Sequence, residues 1–385
     1  MRASAQLPVT LQGCLAAILL LSVPLTAISA APEFRSPVSR VGTTAAGSVS
    51  EGSDMSDRET AGLRGAVKVC VEESLGSPGS KSTTTSEYTL DGRLLTVRYD
   101  YTDASESVFT YAYDDAGRSL SITNNRNSDR TDYRYDEHGS VTEILTYDPK
   151  TIERNRNAAT TASAWDAARS GMGVPTGGTV TVLHDEKRRP VELQVRGADG
   201  DLVARVVRSY NADGRISEER PTLENPLALL LERMSPEERS QLSPIHLKAM
   251  NKAMATMSRG QRESGKVYSY DAQGRVTHLR ETNLAFEKTT TIQYNDRGDA
   301  AKVNTTFGNN AAVLHSVSYS VDEEGNLTPN EVPGARPQHL PLPPPEDVHF
   351  SYQYDSYGNW THQTTTRGAG SATPAGERHR GLTYY

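Results

Sequence analysis

The sequence predicts a mainly β fold, in which repeated antiparallel hairpins form one curled sheet with short helical insertions. A Tyr-Asp-turn-Gly unit recurs about nine times along the chain. The chain contains 18 Tyr but only 5 Phe, which suits half-exposed strands because a tyrosine ring can be buried while its hydroxyl stays in water. Hydrophobic residues make up 36% of the chain, and this low share indicates a thin sheet with polar loops rather than a thick core.

Residues 1–30 have the pattern of a secretory signal peptide. Arg2 precedes an apolar run from Leu15 to Leu25, and small residues close the segment. We expect cleavage between Ala30 and Ala31. The apolar run is shorter than the roughly 20 residues of a membrane span, so no transmembrane span is expected after cleavage. The mature chain is therefore predicted to be secreted, periplasmic or on the cell surface, with retention of the signal as an anchor as the alternative.

Charge and cysteine content argue against nucleic acid as a partner and against an intramolecular disulfide. The formal net charge is −7, and an acidic chain without a basic cluster argues against nucleic acid as a partner. Signal cleavage would remove Cys14 and leave Cys70 alone, so no intramolecular disulfide is expected. Strand pairing and packing must then stabilise the exported protein.

The repeat is clearest at residues 109–118, Phe-Thr-Tyr-Ala-Tyr-Asp-Asp-Ala-Gly-Arg. Alternation places the rings of Tyr111 and Tyr113 on one face of a strand. Asp114 can open a turn by accepting hydrogen bonds from nearby backbone N–H groups. Gly117 can adopt a positive φ at no steric cost. The pattern predicts a type I turn followed by a left-handed residue, and therefore one hairpin in each repeat.

The same positions recur in the other copies, and we interpret them as structural rather than catalytic. Two copies are degenerate: one has a shortened turn at residues 88–93, and the other, at residues 184–189, has lost its Gly. The expected turn residues are Asp91, Gly92, Asp114, Gly117, Asp136, Gly139, Asn211, Gly214, Asp271, Gly274, Asn295, Gly298, Asp322, Gly325, Asp355 and Gly358. The expected stacking aromatics are Tyr111, Tyr113, Tyr133, Tyr135, Tyr210, Tyr268, Tyr270, Tyr294, Tyr319, Tyr352 and Tyr354.

The Tyr-x-Tyr-Asp-x-x-Gly-Arg pattern resembles the YD repeats of the Rhs family, which includes the teneurins and bacterial toxin shells. The resemblance covers about residues 83–366, with interruptions. It implies a long antiparallel sheet that curls on itself, one hairpin per repeat, and in the large members it implies a hollow shell around a cargo. This chain has too few copies to close a large shell and lacks an Asp-Pro-x-Gly-Leu element, so we expect a partial shell without cargo.

The repeat region defines the domain organisation. Residues 31–82, rich in Ser, Gly, Thr and Ala, are expected to form a flexible spacer, in which the apolar patch Val67–Val71 is a candidate first strand. Residues 83–366 are expected to form the repeat sheet, and residues 367–385 a disordered tail. Helical insertions are predicted at 149–178 and 221–262, and a proline-rich loop at 329–347. A helix starting near Ser243 carries Leu247, Met250, Met254 and Met257 on one face. We expect this face to cover the sheet rather than to dock a partner.

No catalytic, cofactor or metal-binding motif is recognisable, and the nine His residues show no ligand spacing. The leading hypothesis is therefore an exported, non-enzymatic scaffold or binding protein of the cell envelope or extracellular space. A glycan or a surface protein is its expected partner, and exposed Tyr rings together with Trp360 make carbohydrate a reasonable ligand. Two alternatives stay open. One is an accessory or remnant of a toxin shell, and the other is an extracellular hydrolase with facing carboxylates between the sheet and residues 221–262.

Overall fold

Eighteen antiparallel strands form a closed barrel in the computed structural model of this chain. The structure describes residues 5–6, 56–75, 81–100, 106–137, 140–156, 164–169, 173–234, 236–261, 265–282, 286–309, 318–322, 326–330, 342–368 and 375–385. Three further short strands form a separate small sheet.

Strand bounds follow the repeat closely. The strands are β1 (Ala5–Gln6), β2 (Val67–Leu75), β3 (Lys81–Tyr88), β4 (Leu94–Asp100), β5 (Glu106–Tyr113), β6 (Ser119–Asn124), β7 (Arg130–Tyr135), β8 (Val141–Thr146), β9 (Thr179–His184), β10 (Pro190–Arg196), β11 (Leu202–Tyr210), β12 (Ile216–Leu223), β13 (Gly265–Tyr270), β14 (Val276–Thr282), β15 (Phe286–Tyr294), β16 (Ala300–Asn309), β17 (Ser318–Val321), β18 (Leu327–Asn330), β19 (Glu346–Tyr354), β20 (Trp360–Arg367) and β21 (Gly376–Tyr384).

Each barrel strand pairs with its neighbour in sequence, and two connections complete the ring. Strand β16 pairs with β19, so the copy at β17–β18 is left out of the barrel and pairs with β1 instead. Strand β21 pairs with β2 along its whole length, from Val67 opposite Tyr384 to Leu75 opposite Glu377. Eight repeat hairpins supply sixteen strands, and β2 and β21 supply the two that close the barrel.

The predicted fold class, one curled sheet forming a partial shell, is wrong in its closure. It fails because the expected tail is a strand and because the candidate first strand at Val67–Val71 extends to Leu75 and pairs with that tail. Strand β2 lies within the expected spacer 31–82, and β21 lies within the expected disordered tail 367–385. Strand β2 pairs with the repeat strand β3, and β21 pairs with the repeat strand β20. Strands β2 and β21 also pair with each other. Both free edges are thereby satisfied, which removes the exposed hydrogen-bonding groups of an open sheet.

Alternating side chains divide the barrel into an inner wall and an outer wall. On β8, Val141, Glu143 and Leu145 are buried while the residues between them are partly exposed. The buried apolar residues form clusters on the inner wall, the largest of them around Val180, Val182 and Leu193. Most side chains of the outer wall are polar and many are charged, and the buried apolar side chains are turned inward. A few large aliphatic side chains on barrel strands are nevertheless exposed, namely Leu75, Leu95, Leu120, Val207 and Val267.

Six helices lie within the described residues, and most of them belong to the two predicted insertions. They are α1 (Asp57–Thr60), α2 (Pro149–Arg156), α3 (Ala164–Arg169), α4 (Pro226–Arg233), α5 (Pro236–Ser240) and α6 (Pro244–Gln261). Trp165 and Ala168 of α3 pack into the apolar cluster of the inner wall. Met250 of α6 is buried, whereas the side chains of Met254 and Met257 lie outside the described residues.

Within the described part of the chain, no helix has the length and apolar character needed to cross a membrane.

The turn at residues 88–93 corrects one expectation, because it is not shortened and Asp91 does not open it. Thr89 occupies the Asp position: its Oγ1 accepts from the Arg93 N–H at 2.8 Å, and its carbonyl accepts from the Gly92 N–H at 3.0 Å.

The turns that open with Asp or Asn have the expected hydrogen bonds. Asp114 Oδ1 accepts from the backbone N–H of Arg118 at 2.7 Å, and the Gly117 N–H donates to the Asp114 carbonyl at 2.9 Å. Gly117 has φ 79°. In the copy that lacks glycine, Arg188 takes the same position with φ 57°, and it is the only described non-glycine residue with a positive φ. The turn geometry is thus maintained there at the expense of backbone strain.

Candidate functional site: charged groups on the inner wall

The repeat aromatics line the inner wall and bind the preceding repeat. The second Tyr of a copy donates its hydroxyl proton to a backbone carbonyl one hairpin earlier, as Tyr294 does to Val276 at 2.7 Å and Tyr270 to Ile216 at 2.6 Å. An Arg from the preceding turn lies over the same ring. It follows the turn glycine in four copies, follows Arg188 in the copy without glycine, and precedes Gly298 in the copy at residues 292–299. This stacking is seen for Arg93 on Tyr113, Arg118 on Tyr135, Arg189 on Tyr210, Arg215 on Tyr270, Arg275 on Tyr294 and Arg297 on Tyr354.

The structure therefore brings the predicted turn residues to one rim of the barrel and the predicted Tyr residues to its inside. Gly139, Gly325, the cleavage site Ala30–Ala31 and the side chain of Tyr319 lie outside the described residues. The exposed Tyr platform that favoured carbohydrate does not form from the described repeat rings. Trp360 is also only 8% exposed, and Arg380 lies 3.7 Å from its ring centroid.

A buried ionic cluster joins helix α3 to the wall. Glu143 Oε2 lies 2.7 Å from Arg169 Nη1, and Glu143 Oε1 lies 3.1 Å from His184 Nε2. The other imidazole nitrogen, Nδ1, lies 3.0 Å from the carbonyl oxygen of Val141. Both ring nitrogens of His184 therefore lie within hydrogen-bonding distance of an oxygen atom. All three side chains are nearly inaccessible to solvent.

Glu143 and Arg169 stabilise each other's charged forms. Burial alone would raise the pKa of Glu143, but the Arg169 guanidinium and the hydrogen bond from His184 outweigh it, and the pKa falls below its ordinary value. For Arg169, burial acts to lower the pKa, and the Glu143 carboxylate more than reverses this and raises it. Arg169 Nε and Nη2 have no hydrogen-bond partner among the described residues.

A second pair continues this arrangement on the neighbouring strands. Glu219 of β12 is buried and lies 2.7 Å from Arg208 of β11. The guanidinium carbon of Arg208 lies 3.7 Å from the ring centroid of Trp165. Helix α3 therefore contacts charged wall residues through both ends of its short length. Glu218, the neighbour of Glu219, points outward and pairs with Arg220.

Two further clusters of the inner wall each pair one carboxylate with two cations. Glu281 lies 2.5 Å from Lys266 and 2.8 Å from Lys288. On the closing strands, Glu72 pairs with Arg378 and with Arg380. These side chains keep between 14% and 26% exposure, so they remain in contact with solvent. Each cluster carries one net positive charge, although the chain as a whole is acidic.

Chemically, these inner-wall groups can hold charge and bind an anionic group, because their carboxylates are already engaged by cations. None of these inner-wall ion pairs was predicted from the sequence. The burial of Glu143 could have been predicted from the sequence, because it alternates with Val141 and Leu145 and therefore lies on the apolar face of the strand. Arg169 had none, because its partners lie on strands distant in sequence.

Comparison with known proteins gives only distant matches. No family model and no curated protein sequence matches the chain. A porin-like protein from Bacteroides uniformis ATCC 8492 is similar over 83% of this chain and 98% of its own, at 10% identity and a TM-score of 0.35. A porin-like protein from Bacteroides vulgatus ATCC 8482 is similar over 83% and 99%, at 9% identity and a TM-score of 0.30. The Photorhabdus luminescens Tc holotoxin pore is similar over 74% of this chain but 14% of its own, at 10% identity and a TM-score of 0.25.

Proposed function

We propose that this chain is an exported, non-enzymatic YD-repeat scaffold or binding protein of the cell envelope or extracellular space, with its barrel surrounded by water. The observation that carries the proposal is the ionic outer wall. Exposed ion pairs occur on strands around the ring, including Lys81–Glu73, Arg98–Glu106, Arg130–Asp132, Arg205–Glu224 and Lys302–Asp347.

A lipid-facing barrel needs the opposite arrangement. Its outer band is apolar, and each Arg or Lys placed at the middle of a bilayer costs about 2–4 kcal/mol. The ion pairs of the outer wall would together make insertion strongly unfavourable. The inner wall carries the Tyr rings and aliphatic residues that a lipid-facing barrel would turn outward. This distribution supports an aqueous setting.

The paired inner-wall carboxylates support a non-enzymatic role. A general acid or base needs a carboxyl group that can exchange its proton near neutral pH. Glu143 and Glu281 instead have lowered pKa values: burial opposes ionisation, but Arg169 for the first and Lys266 and Lys288 for the second overcome it. Next to residues 221–262, the Glu219 carboxylate is paired with Arg208 at 2.7 Å.

Cell fractionation tests the proposal. The full-length chain is expressed in a Gram-negative host, and its location is followed beside a native outer-membrane barrel of the same cells. We expect the protein in the periplasmic or culture fraction without detergent, with a mature N-terminus at Ala31 by mass spectrometry. Recovery only in detergent extracts, together with the outer-membrane control, would contradict an aqueous barrel. Recovery from the cytoplasm with the N-terminus intact would contradict export.

A further inference from the structure

Two histidines and a glutamate meet on the outer wall, away from the charged clusters inside. His362 of β20 lies directly opposite His379 of β21 in the strand pairing. Glu377 precedes His379 by two residues and therefore points to the same face. One nitrogen from each imidazole and one oxygen of the carboxylate lie within 4.8 Å of one another.

The geometry of the three groups is convergent. Glu377 Oε2 lies 3.7 Å from His362 Nε2 and also 3.7 Å from His379 Nε2. Both distances are too long for hydrogen bonds. The two imidazole rings are stacked, with centroids 4.3 Å apart and planes inclined by 10°. Three lone-pair donors thus surround one point without satisfying one another.

An independent observation comes from the first histidine. His362 Nε2 is shielded from solvent and has no hydrogen-bond partner among the described residues. A shielded polar atom without a partner is costly, and a missing ion or water is a common explanation. The atom faces Glu377, so an ion bound between them would satisfy it.

We propose that His362, Glu377 and His379 form a binding site for a divalent transition-metal ion, with Zn²⁺ as the best-fitting ion. Two imidazoles and one carboxylate are a known ligand set for Zn²⁺, with bonds of about 2.0–2.2 Å. Tetrahedral ligands at such distances are separated by about 3.4 Å. The two N···O distances of 3.7 Å must therefore close by a few tenths of an ångström. The two imidazole nitrogens, which lie within 4.8 Å of each other, must close by up to about 1.4 Å. The rings must also tilt from their stacked position so that both nitrogens point to the ion.

The strands already supply much of the required order. Cross-strand pairing fixes His362 beside His379, and the strand period fixes Glu377 on the same face. Binding therefore requires side-chain rotation rather than backbone movement. The fourth tetrahedral position faces outward, where a water or a group from another molecule can complete it.

Titration of the mature, untagged protein with Zn²⁺ tests the proposal. The protein is first stripped with a chelator, and binding is followed by competition with a chromophoric chelator. We expect one Zn²⁺ per chain. Replacement by Co²⁺ should give the visible absorption of a tetrahedral centre, a signature that weak surface binding does not produce.

Variants assign the site to these residues. His379→Ala and Glu377→Gln should each weaken Zn²⁺ binding by at least about tenfold, since even loss of an outer-shell partner costs 10–100-fold. His349→Ala is the matched control, because His349 lies on the outer wall 3.7 Å from Asp347 but has no second imidazole described beside it. That variant should bind as the parent does.

Absence of stoichiometric binding would overturn the proposal, as would binding that survives His379→Ala unchanged. Circular dichroism and thermal melting show whether each variant is folded. If His379→Ala fails to fold, Glu377→Gln decides the question, because it conserves shape and changes only the charge of an exposed side chain.

Discussion

The guanidinium carbon of Arg275 lies 4.5 Å from the ring centroid of Tyr294, and the Tyr294 hydroxyl donates to the carbonyl of the next residue, Val276. One repeat thus binds the next through a ring face and a hydroxyl at once. Because this contact recurs around the barrel, the Arg that follows the turn glycine has a structural role in addition to its place in the repeat signature.

A double-mutant cycle should measure this contact. Arg275→Ala and Tyr294→Leu are expected to show a coupling of about 0.5–1 kcal/mol in the free energy of unfolding, the range of a cation–π contact near the surface. Urea denaturation gives the four values. Arg220 and Tyr357 are exposed and lie on separate elements, so the same cycle at this pair should give additive changes. Additive changes at Arg275 and Tyr294 as well would contradict the assigned contact.

Arg188→Gly should stabilise the barrel by about 1 kcal/mol, because a non-glycine residue in the left-handed region costs about 1–2 kcal/mol and glycine recovers most of it. The observation behind this is the φ of 57° at Arg188. The matched reverse change is Gly214→Ala, where the added Cβ meets only Arg189 Nη1 at 3.6 Å. It should lower stability by a similar amount. An unchanged melting temperature in both variants would refute the strain.

Glu143→Gln should lower the free energy of unfolding by about 3 kcal/mol or more, since removing one partner of a buried ion pair leaves the other charge uncompensated. Here the Arg169 guanidinium would lose its counter-charge. Glu218→Gln removes a carboxylate whose partner Arg220 is 64% exposed. That control should change stability by less than about 0.5 kcal/mol. Equal losses in the two variants would show that the buried ion pair of Glu143 adds no more to the free energy of unfolding than an exposed pair does.

Acid should destabilise the protein through the same carboxylate. The pKa of Glu143 is lowered in the folded state, because Arg169 and His184 overcome the effect of burial. The folded state therefore binds this proton less readily than the unfolded chain. The resulting stability is complete above the ordinary pKa of 4.5 and is lost as pH falls below it, through the folded pKa.

Denaturant titrations at several pH values check this dependence. The loss of stability on acidification should be smaller in Glu143→Gln than in the parent. Asp271 contributes to the part that remains. Burial is the largest single effect and opposes its ionisation, but the hydrogen bonds from the Arg275 backbone and side chain together outweigh it and lower the pKa of Asp271. Identical pH profiles for parent and variant would contradict the assignment to Glu143.

Local chemistry could be predicted from the sequence, and distant pairing could not. The turn at Asp271 and Gly274 depends on residues within one hairpin, and its pattern repeats along the chain. Closure depends on β2 meeting β21, for example where Glu72 Oε2 lies 3.0 Å from Arg380 Nε. No local pattern reveals such a partner. The helical insertions were foreseen, but the contact of Arg169 with Glu143 was not, since a charged residue in a polar segment usually faces solvent.

The pairing of β2 with β21 imposes an order of events on the living cell. The barrel is closed by the β2–β21 pair, and β21 consists of residues 376–384. These residues follow every repeat hairpin along the chain. Until those residues are available, at least two strand edges stay open, and open edges invite pairing with other chains. The risk of aggregation is therefore greatest in the interval before β21 pairs with β2.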